Sequence, residues 1–141
     1  MKVLVDLNIA LDFLQHRKPF FEEAASLMDA ILFENVRGVL PAHGFTTLYY
    51  FLARGVQKPQ AGEVIQWLLD TFDIAACDKD VLVRAASLQM TDYEDAVTAV
   101  CAERVGCSHI VTRNVDDFAG SPVPALPPGE FLQILEIDRS F

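Results

Sequence analysis

The sequence predicts an α/β fold, a three-layer α/β/α arrangement built on a central, mostly parallel sheet. Two observations carry this. Short β-rich apolar runs, KVLVDL (2–7), RGVLPA (37–42), DIAACD (73–78) and SHIVTRN (108–114), alternate with segments whose apolar residues recur at helical spacing. Strands that alternate with helices pair in parallel, and their sheet is covered on both faces.

The elements follow in order. KVLVDL is a buried strand, and the residues after it, to Phe20, continue as a helix. FFEEAASLMDAILFEN (20–35), GFTTLYYFLARG (44–55) and KPQAGEVIQWLLDTF (58–72) each read as a helix with one apolar face. RGVLPA and DIAACD are short strands. KDVLVRAASLQ (79–89) is a helix, and EDAVTAVCAERVG (94–106) is another, closed by Gly106 as a C-cap. SHIVTRN is a strand. PALPPGEFLQILEI (124–137) ends the chain, with Pro127 or Pro128 near the first turn of a final helix. No repeat, low-complexity segment or linker interrupts the chain, so residues 1–141 read as a single domain.

Composition excludes several classes. Half the 141 residues are apolar, as in a folded protein rather than a disordered one. No run reaches the roughly 18 apolar residues of a membrane span. The N-terminal apolar run is broken by Asp6, Asn8 and Asp12, with no small-residue cleavage site after it. The expected location is the cytoplasm. Cys77, Cys101 and Cys107 are an odd set without C-x-x-C spacing, and His16, His43 and His109 form no H-x-x-x-H pair. Spacing therefore indicates neither a disulfide framework, a zinc site nor a Ser-His-Asp triad, and Cys101 and Cys107 read as small core residues. The net charge of −9 opposes non-specific binding of nucleic acid. A nucleic-acid substrate would need a bound divalent metal, a basic patch or a dimer groove to overcome it.

Ligands of parallel α/β folds bind outside the carboxyl ends of the strands. Asp6 ends the first strand, Thr112 and Asn114 end SHIVTRN, and the helix opened by TDYEDAVTAV (91–100) starts at that same edge. Asp6, Asp95 and Asn114 thus converge from distant segments, with Asp92, Glu94, Asp116 and Asp117 nearby. Part of the acidic knot has a simple use: Thr91 and Glu94 match a capping box, and acids favour a helix's first turn. Asp95 is different. It opens a helix that is apolar on most sides, with Thr98, Ala99 and Ala102 on its face, and a carboxylate there is costly unless paired, protonated or bound to a cation. Asp6 has capping of the next helix as its plain role, though Asn8 would serve. Two carboxylates aimed at each other suggest shared coordination of a cation, and hard oxygen ligands without His or Cys select Mg²⁺ or Mn²⁺.

These residues resemble a known pattern. VLVDLNIALDFL is similar to the opening D-x-N of the PIN domain. YEDAVTAVCAERVGCSHIVTRNVDDF resembles its second half, where an acidic-Asp-Ala helix is followed by a strand and a T-x-(D/N) turn ending in Asp-Phe, and PALPPGEFL is similar to its closing helix. The nearest branch includes the VapC-type toxins. The resemblance implies a PIN-like fold and a ribonuclease in which an acidic cluster holds Mg²⁺ or Mn²⁺ and a metal-activated water attacks an RNA phosphodiester. Carried over by position, it makes Asp6 and Asp95 the metal ligands, with Asn8 orienting Asp6 or reaching a ligand and Thr112 bonding within its turn. Asn114 and Asp117 join them as catalytic candidates, with Asp92 and Glu94 behind. The family's second acid falls at Thr47, in TTLYY, and its fourth at Asn114. Two of four carboxylates are therefore neutral here, a change that weakens metal binding and for which Asp117, Glu94 or Asp92 are the possible replacements.

Two other readings stand beside this one. A degenerate fold of the same kind would bind RNA or protein without cutting, and Thr47 and Asn114 favour that. Another Asp-dependent phosphate enzyme would want D-x-D where this chain has Asp6-Leu7-Asn8, or an acidic pair with a late lysine. Arg113, Lys58 and Arg54 could meet RNA phosphates, although each has an ordinary solvated surface role as its plain reading. The resemblance also implies an antitoxin protein as partner, and a homodimer.

Overall fold

The computed structural model describes residues 1–33, 35–55 and 58–139. Glu34, expected to be helical, and the side chain of Lys58 lie outside the described residues. In chain order the elements are β1 (Lys2–Val5), α1 (Leu7–Leu14), α2 (Phe21–Leu32), β2 (Arg37–Pro41), a 3-10 turn (Ala42–Gly44), α3 (Phe45–Gly55), α4 (Lys58–Thr71), β3 (Asp73–Ala75), α5 (Lys79–Ala86), α6 (Tyr93–Arg104), β4 (His109–Val111), a second 3-10 turn (Val115–Phe118), β5 (Ala125–Leu126) and α7 (Pro128–Arg139). The expected alternation of strands and helices is present.

The strands lie in the order β3-β2-β1-β4-β5, and every pairing is parallel. Residue alternation along β1 shows how the layers form. Val3 and Val5 face one way, into a core with Leu40, Val111, Ile9, Leu11, Leu27, Leu48, Leu68 and Phe131. Leu4 faces the other way, into a second core with Val39, Ile110, Val97, Val100 and Cys101. One layer is thus built from α1 to α4 and α7, and the opposite layer from α5 and α6. A two-residue side-chain period in a strand buried on both sides requires this division.

The chain leaves β1 toward β2 and β3, then returns across α5 and α6 to β4 on the other side of β1. The strand order therefore reverses between β1 and β4, which is where such sheets open a crevice at their carboxyl edge. Two glycines fit close quarters. A Cβ on Gly38 of β2 would sit 2.7 Å from the Phe72 ring and 2.8 Å from Ile31. Gly106 has φ +76° just past α6, the left-handed stop expected of it.

Three local expectations need correction. The cap of α6 is Asp92, whose side chain accepts from the Asp95 N–H at 3.0 Å, rather than the Thr91–Glu94 box. The chain enters α6 one residue later than the box required, and Asp caps as well as Thr. The final helix starts at Pro128 as expected, but Ala125 and Leu126 before it pair with Ile110 and Val111 as a fifth strand that the sequence reading lacks. Asp6 occupies the cap position of α1 but makes no side-chain cap bond, because its carboxylate is engaged elsewhere.

Candidate active site

Register brings the first two residues together. Val5 pairs with Val111, and the Asp6 N–H continues the ladder to the Val111 carbonyl at 3.0 Å. The next residue on each strand, Asp6 and Thr112, therefore leaves the sheet side by side. The Thr112 hydroxyl donates to Asp6 Oδ2 at 2.8 Å and accepts from the Asn114 N–H at 3.0 Å. One fully buried threonine thus fixes both the carboxylate and the turn that carries Asn114.

A pocket of about 300 Å³ opens at this edge, lined by Asp6, Asn8, Thr47, Glu94, Asp95, Asn114 and Asp117 among its polar residues, with Leu7, Leu11, Phe51 and Phe118 as its apolar wall. Six segments supply them: the β1 end, α1, α3, the start of α6, the turn after β4 and the second 3-10 turn. The apolar wall was not foreseen, and Phe51 and Phe118 carried no signal beyond ordinary amphipathic spacing. Asp92 is spent on the helix cap and is absent from the pocket lining, as is Asp116.

The electrostatics follow from this crowding. Burial raises the Asp6 pKa above its ordinary value, opposed by the Thr112 hydroxyl and the Leu7 N–H, and Glu94 adds repulsion. Asp95 is half-buried and is pushed up to about 6, first by desolvation and then by Asp92, Asp6, Asp117 and Glu94. Among the described residues none of the pocket acids forms an ion pair. Among the described residues the one cation that acts on Asp6 is Arg113, the smallest influence on it, so the negative charge gathered here is left largely unmatched. An oxygen-only donor set with excess negative charge fits a hard dication of the Mg²⁺ or Mn²⁺ type.

The neighbouring arginines are occupied. Arg113, expected to meet phosphates, instead grips the fully buried Asp12 through two bonds of 2.7 and 3.1 Å. Its guanidinium also lies 3.8 Å over the Phe20 ring. A buried carboxylate without a partner is prohibitively costly, so Asp12 claims the nearest guanidinium. Arg17 stands 3.9 Å from the same carboxylate and 3.4 Å from Asn8 Oδ1. Asn8 is thus drawn toward Arg17, and the structure records no bond from it to Asp6. Arg54 donates to the Tyr50 hydroxyl at 2.9 Å.

The cysteines are buried as expected at Cys101 and Cys107. The expectation that no soft-metal pattern exists holds for spacing along the chain but not in space. His43 of the 3-10 turn after β2, Cys77 of the loop after β3 and Cys101 of α6 lie together on the α6 side of the sheet.

No curated protein matches the sequence. The family model for the PIN domain matches residues 2–116. Among solved structures, a toxin-antitoxin complex from Klebsiella pneumoniae is similar at 21% identity over 89% of this chain and 97% of that one, with a TM-score of 0.68. VapBC2 from Rickettsia felis, bound to a DNA fragment from its promoter, is similar at 15% identity over 90% and 98%, with a TM-score of 0.67. VapC20 from Mycobacterium tuberculosis, described as a sarcin-ricin loop cleaving toxin, is similar at 12% identity over 83% and 93%, with a TM-score of 0.64. At these identities the likeness is one of fold.

Proposed function

The chain belongs to the PIN domain family, and from that premise we propose that it is a divalent-metal-dependent endoribonuclease acting as the toxin of a toxin-antitoxin pair. One observation carries the reading: Asp6 and Asp95 face the same pocket, Asp95 is pushed up to about 6 by burial first and then by four other carboxylates, and among the described residues neither Asp6 nor Asp95 forms an ion pair. Like charges so placed repel unless a proton or a cation sits between them.

Asp6 and Asp95 would hold the ion, Mg²⁺ or Mn²⁺. When bound, such an ion stabilises charge developing on a phosphate and makes water more acidic. The chain's own groups supply the rest. Thr112 fixes the Asp6 carboxylate, so its oxygens are aimed before substrate arrives. Glu94 and Asp117 accept hydrogen bonds from water at the pocket mouth and orient it toward a phosphodiester. Asn114, held by Thr112, and Thr47 offer neutral polar groups where further carboxylates would repel the substrate's phosphate. The apolar wall of Leu11, Phe51 and Phe118 excludes bulk water from one side.

The structural neighbours named as toxin-antitoxin assemblies support a protein partner for this chain as well. The exposed aromatic residues Tyr49, Tyr50 and Phe51 of α3 supply apolar surface for an antitoxin or a second copy. No described helix is long and apolar enough to cross a membrane.

A second reading rests on Thr47 and Asn114. With two neutral groups in the pocket, the fold would bind RNA without cutting it. Purified protein with a labelled RNA separates the two. The nuclease reading expects cleavage that needs Mg²⁺ or Mn²⁺ and disappears in Asp6→Asn and Asp95→Asn. RNA binding without cleavage, together with no Mn²⁺ affinity, establishes the binding module instead.

A further inference from the structure

A second donor cluster lies apart from the acidic pocket. A ring nitrogen of His43 and the Sγ atoms of Cys77 and Cys101 all lie within 4.8 Å of one another. Sheet register explains the meeting. Pro41 of β2 pairs with Ala75 of β3, so the residues two beyond each strand, His43 and Cys77, leave the carboxyl edge as neighbours. Helix α6 then lays Cys101 over them. Asp95 and Cys101 are six residues apart on that helix, about 9 Å along its axis, so the two sites share one scaffold without sharing ligands.

The state of His43 suits a soft cation. His43 Nε2 faces the Thr98 hydroxyl at 3.4 Å, and its Nδ1 is buried without a hydrogen-bond partner. An orphaned buried nitrogen is uncommon and calls for a partner. Burial lowers the His43 pKa, against the pull of Glu94, which favours the neutral imidazole that ligates metals. The Cys101 thiol makes a weak 3.8 Å contact to the Ala76 carbonyl and shares a hydrogen bond with Cys77, and burial first, then Cys77, push it up to about 12, so a bound cation must displace its proton. Among the described residues, the charged groups that act on the cluster are Glu94 on His43, and Asp78 and Arg104 on Cys101.

We propose that His43, Cys77 and Cys101 form a binding site for one thiophilic divalent cation, Zn²⁺ by its chemistry. Two sulfurs and an imidazole select such an ion over Mg²⁺. Tetrahedral Zn²⁺ with bonds of about 2.0–2.3 Å sets its ligands roughly 3.5–3.8 Å apart, so the trio must close by little more than about 1 Å at most. Binding releases two thiol protons to solvent and leaves His43 neutral, so the ion's two charges are balanced by two thiolates. Three protein ligands leave a fourth position for water. The bound ion would tie the ends of β2 and β3 to α6, behind the acidic pocket. The assignment does not rest on the nuclease reading.

The test is Co²⁺ titration of the reduced, metal-free, full-length protein, read by the near-ultraviolet thiolate-to-cobalt charge-transfer absorption. That band requires sulfur, so metal held by the acidic pocket does not produce it. The expected result is a band that saturates at one Co²⁺ per chain, is bleached by Zn²⁺, persists in Asp6→Asn and Cys107→Ala, and is lost in Cys77→Ser. Cys77 is only half-buried, so its variant decides the outcome if Cys101→Ser does not fold. A wild-type protein without the band, or a band that survives Cys77→Ser, would each overturn the proposal.

Discussion

Thr112 and Asp6, 106 residues apart, share a 2.8 Å hydrogen bond that exists because β1 and β4 pair in register. The same hydroxyl accepts the Asn114 N–H, so one side chain couples strand pairing to the shape of the pocket.

Thr112→Val keeps the volume and removes both bonds. It leaves a backbone N–H and a buried carboxylate oxygen unsatisfied, at a cost of about 1–3 kcal/mol. Urea unfolding should show that loss, with the Asp6 pKa moving further up because an interaction that lowers it is gone. Cleavage should fall by roughly tenfold or more, a factor that each 1.4 kcal/mol of misplacement supplies.

Asp95 gives a prediction with a sign. Its folded pKa is raised from 3.8 to about 6, so the folded state holds the proton more tightly than the unfolded chain does. Its stabilising contribution is full below about pH 4 and is lost as pH rises through about 6. Asp95→Asn should therefore raise metal-free stability at pH 7, on the order of 1 kcal/mol after discounting for solvent screening at a half-exposed group. The gain should vanish near pH 4. Thermal melts of both proteins across that range, without divalent metal, check it. A variant that is less stable at pH 7 contradicts the repulsion.

Added Mn²⁺ should reverse the order. An ion that binds only the folded state stabilises by about 2.7 kcal/mol at a hundred times its Kd. Wild-type protein should gain in melting temperature with Mn²⁺, whereas Asp6→Asn and Asp95→Asn should gain little. Equal gains in all three would place the ion elsewhere.

The fully buried Asp12 is paired with the partly exposed Arg113 at 2.7 Å. Arg113→Met strands a fully buried carboxylate, a loss of about 3–5 kcal/mol, with the lower end expected because Arg17 stands close enough to take over in part. Adding Asp12→Leu to it should recover most of that stability, which equilibrium unfolding of the single and double variants would show.

What could be read in the sequence depended on distance along the chain. The strands KVLVDL and SHIVTRN and the long helices announce themselves by local periodicity, and the carboxyl-edge rule then brings Asp6, Asp95 and Asn114 to one pocket, where the structure has them. Ala125 and Leu126 gave no strand signal: two residues between prolines have no periodicity, and they pair only because β4 offers a free edge. Arg113 looked like a free cation because its partner Asp12 is 101 residues away. The His43, Cys77 and Cys101 cluster was invisible for the same reason, since its donors come from three distant segments that the β2–β3 register and helix α6 assemble.

The most direct measurement is a crystal soaked in Mn²⁺ and read by anomalous scattering. If Asp6 and Asp95 hold the ion, a single peak stands in the pocket, bonded to carboxylate oxygens of both. A pocket without a peak at saturating Mn²⁺, or a peak touching neither side chain, would contradict that assignment.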